Sequence, residues 1–305
     1  MTQHDVPGLK ARLEFAKKPN ARAHALFLTD GKNSPDDIKP LMAELLRCQN
    51  LFQADCRGVG TDWEPVQLRE IADQLMGTAR IIPDAGGMEA DFRDTLQKAL
   101  SMSVGNARIR VSTPKSGKAK LVFMKQMSPA ILDLTDRVTT ADNHTFDFPT
   151  GAWAANESRD FHIAFDVPPG AAGDEMLVCR TSILYGNAGE SAKGGSILAA
   201  WTPPGDGRSA VINPQVAHFT GQAQLAEDIQ EGLAARARGD IDAATQHLTR
   251  AVKLAQESGN TQATNKLRSV VVQNADGTVN LRANVQKASL MDLDLSSIVT
   301  SRAQK

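Results

Sequence analysis

The residues from Leu26 to Asn33 read LFLTDGKN, a short apolar run that breaks at Thr29, Asp30 and Gly31. A continuous apolar run ending in a polar turn is the signature of a parallel strand buried on both faces, and ligands of parallel sheets gather at the carboxyl ends of their strands. A carboxylate in that place can coordinate a hard divalent cation or act as a nucleophile toward a phosphoryl group. It can also do no more than shape the turn, a role Asp fills often. CRGVGTD, Cys56 to Asp62, ends a second apolar run in the same way and sets Asp62 and Trp63 on the same rim. Asp62 falls where a helix N-cap is expected, as does Asp36 in the first segment. Trp63 is a partner contact if exposed; burial under a neighbouring helix is the alternative, and the favoured one. The G-V-G of this turn lacks the third glycine of a dinucleotide-binding loop, so its glycines are assigned to the turn.

Other chemistry finds little support. The six histidines (His4, His24, His144, His162, His218 and His247) show no zinc-protease spacing, and Cys48, Cys56 and Cys179 form no C-x-x-C pair. His24 and His162 lie in apolar runs and read as core or rim residues, and Cys56 reads as buried. Neither a nucleophile-elbow serine motif nor a P-loop is present. Three widely spaced cysteines fit a reducing cytoplasm better than a disulfide framework.

The chain has 305 residues with a formal net charge of -1, 41% hydrophobic and 23% charged residues. That composition is close to the globular average and lacks the basic excess that nucleic acid or a membrane surface attracts. No apolar run is long enough to span a membrane, and the first residues carry no apolar signal core.

Three regions succeed one another. HALFLTDG, LFQADCRGVG and ARIIPD alternate with amphipathic stretches near Ile38–Cys48 and Glu64–Met76, and a third helix is expected over Met88–Ser101 with Phe92, Leu96 and Leu100 at helical spacing. This order reads as half of a doubly wound parallel sheet, assigned to 1–104. ARIRVST, AKLVFMKQ, RDFHIAFDV and EMLVCRTSILYG then suggest four to six antiparallel strands over 105–210, in a sandwich-like arrangement. Over 211–273 the chain turns helical, and ARGDIDAATQHLTRAV is similar to half of a tetratricopeptide repeat, with Gly232, Ala235, Gly239, Ala244, Leu248 and Ala251 at its packing positions. GTVNLRANV in 274–305 is a candidate strand pair, followed by a tail expected to be mobile.

The T-D-G strand end, with helix, strand, helix, strand and helix behind it, resembles the second half of a von Willebrand factor type A domain. CRGVGTDWEPVQLREIADQLMG, PTGAWAANESRDFHI and INPQVAHFTGQAQLAEDIQEGLAARARGD extend the likeness to bacterial proteins that combine such a domain with β-rich and helical regions. The resemblance implies protein binding through a Mg²⁺ adhesion site, whose ligands come from a D-x-S-x-S loop, a threonine and the Asp of the T-D-G end. Only Asp30 matches that set, and D-x-S-x-S occurs nowhere in the chain. The first half of the type A sheet is therefore expected to be missing. HALFLTDG would then be an apolar edge strand that a partner, a complementing chain or an oligomer could complete.

The expectation is a non-catalytic interaction or scaffold protein of the bacterial cytoplasm. The resemblance places it near stress and phospho-signalling proteins. Thr29, Asp30, Gly31, Asp62 and Trp63 are its candidate partner contacts, and Asp30 is a Mg²⁺ ligand only if other groups complete the shell. The alternative is a Mg²⁺-dependent phosphohydrolase using Asp30, although such enzymes carry D-x-D-G-T where this chain has L-T-D-G-K.

Overall fold

A computed structural model describes residues 23–302 apart from 116, 187–188 and 208–210. The chain divides into two compact units, Met1–Ser101 with Thr220–Lys305, and Met102–Phe219.

The first unit opens with three βα pairs: β1 (His24–Thr29), α1 (Pro35–Cys48), β2 (Gln53–Val59), α2 (Pro65–Gln74), β3 (Ala79–Ile82) and α3 (Met88–Ser101). The strands form one parallel sheet in the order β1-β2-β3, with His24 beside Gln53 and Cys56 beside Ala79. Successive side chains of a strand face opposite ways, so β2 divides its residues. Ala54 and Cys56 enter an apolar core with Leu45, Trp63, Leu68 and Ile71. Asp55 and Arg57 turn to the other face, where Arg57 meets Asp91 and Thr95 of α3.

This polar dock explains a departure from the expected packing of α3. Thr95 is the buried residue of that helix, while Phe92, Leu96 and Leu100 are 57%, 49% and 77% exposed. Asp91 and Thr95 are one turn apart, and the apolar stripe lies one residue, or about 100°, further around the helix. Seating the polar pair on the sheet therefore turns the stripe outward.

The second unit is all β: β4 (Met102–Ser112), β5 (Lys120–Ser128), β6 (Leu132–Asp133), β7 (Thr139–Asp142), β8 (Thr145–Ala154), β9 (Asp160–Asp166), β10 (Glu175–Tyr185) and β11 (Glu190–Ala200). A five-stranded antiparallel sheet, β11-β10-β4-β8-β7, and a three-stranded one, β6-β5-β9, both contribute to a core around Val111, Met124, Phe148 and Cys179. Among the described residues, eight strands stand where four to six were expected. Arg110 of β4 grips Asp147 of β8 with two bonds, at 2.7 and 2.8 Å.

α4 (Pro214–Ala237), α5 (Ile241–Glu257) and α6 (Thr261–Val270) follow, then β12 (Val271–Gln273), β13 (Val279–Leu281) and α7 (Lys287–Ser296). The two interhelical turns use one device twice. Gly239 and Gly259 take positive φ of 80° and 66°, and Asp240 and Asn260 then cap the next helix by accepting from Ala243 and Ala263. Gly232 lies against Leu248, where a Cβ would come within 2.8 Å, and Ala235, Ala244 and Ala251 are buried. From Thr220 onward these helices belong with the α/β unit rather than forming a region apart.

Two expectations at the C-terminal end are corrected. Val279–Leu281 pairs with Val271–Gln273, not with the rest of GTVNLRANV. The tail expected to be mobile contains α7, which sends Met291 and Leu295 into the α/β core and Leu293 into the helical core. Arg69 of α2 clamps it through Asp294 at 2.6 Å.

Candidate functional site

The rim at the carboxyl ends of the strands is built from short, self-bonded turns. Thr29 ends β1, and its hydroxyl donates to the Gly31 carbonyl at 3.0 Å. Asp30 stands exposed in that turn. Lys32, two residues further on, forms an ion pair with Glu64, and this bond with the nearby negative charge raises the ammonium pKa above its ordinary value. Asn33 donates to Gln67 at 3.4 Å, so both contacts tie the β1 turn to the start of α2. At the end of β2, Gly60 takes φ of 68° and its N–H bonds to Ile82 at 2.9 Å.

Three of the five candidate contacts, Thr29, Asp30 and Gly31, thus form one turn, and Asp62 is exposed on the neighbouring loop. Asp62 is not the helix cap. Pro65 occupies the first turn of α2 and fixes Glu64 as the N-cap, without a side-chain cap bond. Trp63 leaves the candidate surface: it is 1% exposed and packs on Gly58, where a Cβ would fall 1.9 Å from the indole. Its Nε1 donates to the Gly60 carbonyl at 3.0 Å, which holds the β2 turn from beneath. The side chain of Asp36 lies outside the described residues, as does His4.

The donors on this rim do not fit a Mg²⁺ ion by themselves. Mg²⁺ asks for near-octahedral oxygen ligation, usually with one or two carboxylates and further oxygens. Asp30 supplies one carboxylate, the Thr29 hydroxyl is committed to Gly31, and the Lys32 cation is the next side chain but one. Among the described residues, no group of three His, Cys, Asp or Glu side chains could hold a metal.

A second polar cluster, not anticipated, lies inside the same unit. Asp55 accepts from Thr78 N–H at 2.7 Å and its hydroxyl at 2.5 Å, and its other oxygen lies 3.2 Å from His24 Nε2. Burial alone would raise its pKa. The bonds from His24 and Thr78 and the charges of Lys98 and Arg57 outweigh that and hold the carboxyl well below the usual range. Arg57, 2% exposed, donates to Asp91 at 2.6 Å, to Thr95 at 2.9 Å and to the carbonyls of Cys56 and Thr78. Both side chains are sealed from solvent, so the cluster fastens strands to α3 rather than meeting a ligand. The signal was the i, i+2 placement of Asp55 and Arg57 within an apolar strand, which puts two opposite charges on one sheet face. Cys48, Cys56 and Cys179 are all buried and none forms a disulfide among the described residues.

Comparison with known proteins accounts for this arrangement. The von Willebrand factor type A C-terminal domain model matches residues 253–297. The solved structure of a von Willebrand factor type A protein from Catenulispora acidiphila is 42% identical, with a TM-score of 0.88, over 96% of this chain and 69% of that one. The ArnB paralog VWA2 from Sulfolobus acidocaldarius is 12% identical with a TM-score of 0.48, over 90% of this chain and 63% of that one. No curated protein matches. At that identity and coverage, with the T-D-G strand end heading a parallel sheet, the chain belongs to the von Willebrand factor type A family.

Proposed function

We propose that this protein is a non-catalytic interaction module whose partner meets the rim at Thr29, Asp30 and Gly31, with Asp62 and the Lys32–Glu64 pair beside it. The observation that carries the reading is the exposed T-D-G turn at the carboxyl end of a parallel sheet, where ligands gather, in a family whose domains commonly mediate protein interactions. Exposed carboxylates at Asp30 and Asp62 beside the Lys32–Glu64 pair suit recognition of a polar partner surface better than a hydrolytic centre. Among the described residues, β1 pairs with β2 on one side and with no strand on the other. In this reading a partner or complementing chain adds to that open side.

The remaining regions are read in the same sense. Unit two serves as a sandwich-like module and α4–α5 as a single tetratricopeptide-like hairpin, in a bacterial, cytoplasmic stress or phospho-signalling setting. Buried cysteines outside any disulfide and the bacterial origin of the similar Catenulispora protein support that setting. Among the described residues, no helix is long and apolar enough to cross a membrane.

The test is a photo-crosslinking residue placed at Leu28, at Asp30 or, as control, at the exposed Ile197 of β11. A discrete adduct at the first two positions, absent at Ile197 and lost in Lys32→Glu, is the expected result. The reading is overturned by adducts that do not distinguish the rim, or by Mg²⁺-dependent phosphate-ester hydrolysis that Asp30→Asn abolishes.

A further inference from the structure

On the helical side of the first unit, α5, α6 and the β12–β13 hairpin enclose an open pocket whose lining includes Val252, Val271, Gln256, Gln273, Arg268 and Arg282. No carboxylate lines it. Elsewhere in the chain, Arg57, Arg69, Arg110, Arg159 and Arg250 each meet an Asp or Glu. Here Arg282 spends its Nε on the carbonyl of Arg268 at 3.0 Å, a bond that covers the end of α6 and orients the guanidinium while leaving both Nη groups unused. Among the described residues, the guanidinium of Arg268 has no partner. Gln256 donates to Gln273 at 3.0 Å, which fixes the Gln273 amide and leaves its own N–H donors unused.

Arg268 and Arg282 both stand exposed at the pocket, and their planar forks match the paired oxygens of a carboxylate or phosphate. The valines supply an apolar wall for whatever carries that group. We propose that this pocket binds an oxyanion, a phosphate monoester or a carboxylate, borne on an apolar group. The inference leans on the interaction reading only for the source of the anion, a side chain of a bound protein. Small probes test the pocket without that partner.

Phenyl phosphate, benzoate and neutral phenol are each titrated into the full chain, with the amide resonances of Val272 and Gln273 followed by NMR. Saturable shifts with one or both anions and none with phenol are expected. Affinity should fall about tenfold in Arg268→Gln and vanish in Arg268→Gln/Arg282→Gln, as loss of a charge-assisted bond predicts. Stronger binding of phenyl phosphate assigns a phosphorylated source, and stronger binding of benzoate an acidic one. Because the Arg268 side chain makes no bond among the described residues, its single variant decides the matter if replacing Arg282 disturbs the end of α6. The proposal fails if neither anion saturates, if phenol shifts the same amides, or if Arg268→Gln binds as the parent does.

Discussion

Replacing Arg57 by Met should unfasten α3 from the sheet while keeping most of the side-chain volume. The guanidinium is buried, and its loss strands the Asp91 carboxylate and the Thr95 hydroxyl and removes one bond each from the carbonyls of Cys56 and Thr78. Removing one member of a buried ion pair costs about 3–5 kcal/mol. The Asp91 side chain is 17% exposed and regains some water, which places the expectation in the lower half, at about 3–4 kcal/mol. That is a large share of the roughly 5–15 kcal/mol that holds an ordinary domain, and should lower its melting point by roughly 6–16 °C. Asp91→Asn leaves a buried cation beside a neutral acceptor and should cost about 2–3 kcal/mol. Arg57→Met/Asp91→Leu removes both charges, and should be less destabilised than the sum of the single changes by at least about 1 kcal/mol. Urea unfolding in a Trp153→Phe/Trp201→Phe background follows the first unit alone, because Trp63 is then the remaining indole and sits in that unit's core. Single costs below about 1 kcal/mol, or simple additivity in the cycle, would refute the claim that this pair holds α3.

Gly77→Ala should cost more than about 2 kcal/mol in the same assay, since its Cβ would fall 1.8 Å from the Ala54 carbonyl, which is backbone and cannot rotate away. Gly195→Ala, with nothing within 4 Å, should stay within about 0.5 kcal/mol of the parent when unfolding of the chain with its tryptophans intact is followed by circular dichroism, which also reads the second unit. Asp55 is held below its ordinary pKa, so its stabilisation is fully present above about pH 4 and is lost as the pH falls below that value. Asp55→Asn should flatten that part of an acid titration of unit-one stability. Burial pushes the Cys179 thiol up to about 11, and Cys48 and Cys56 are buried with it. A disulfide reagent at pH 8 should therefore label none of the three until urea unfolds the chain. Calorimetric titration with millimolar Mg²⁺ should give no saturable heat from this chain alone, and a 1:1 isotherm lost in Asp30→Asn would show that other oxygens complete the shell.

The first three strands were legible because each is a continuous apolar run closed by Thr-Asp-Gly, Gly-Val-Gly or Pro-Asp. The start of α2 was misread by two residues because Asp62 was weighed as a cap while Pro65 set the first turn. β8 and β11 were missed for related reasons. β8 carries Pro149 and Gly151, which argue against a strand, yet they sit where its pairing with β4 slips at Ala107 and Arg108. β11 carries Gly194 and Gly195, and as the edge of its sheet it tolerates the irregularity between Arg180 and Ser182 of its neighbour. Helix α7 was hidden by LMDLDL, whose alternation suits no one-sided helix. It makes sense once one helix has to feed two cores. At the rim, Thr29, Asp30 and Gly31 were readable, whereas the Lys32–Glu64 pair joins residues 32 positions apart, a distance that local spacing does not reach.

The return of α7 to the sheet sets a timetable for synthesis. β3 ends at Ile82, but the core beside it is closed by Met291 and Leu295. At about 5–20 residues per second, the ribosome delivers the last of these side chains roughly 10–40 seconds after the sheet has emerged. During that interval the all-β unit, continuous from Met102 to Phe219, can complete its fold, while the α/β core around Trp63 and Leu68 waits with one wall open. Until α7 emerges, chaperones and proteases can therefore reach the α/β core, and docking of that helix is the event that seals it.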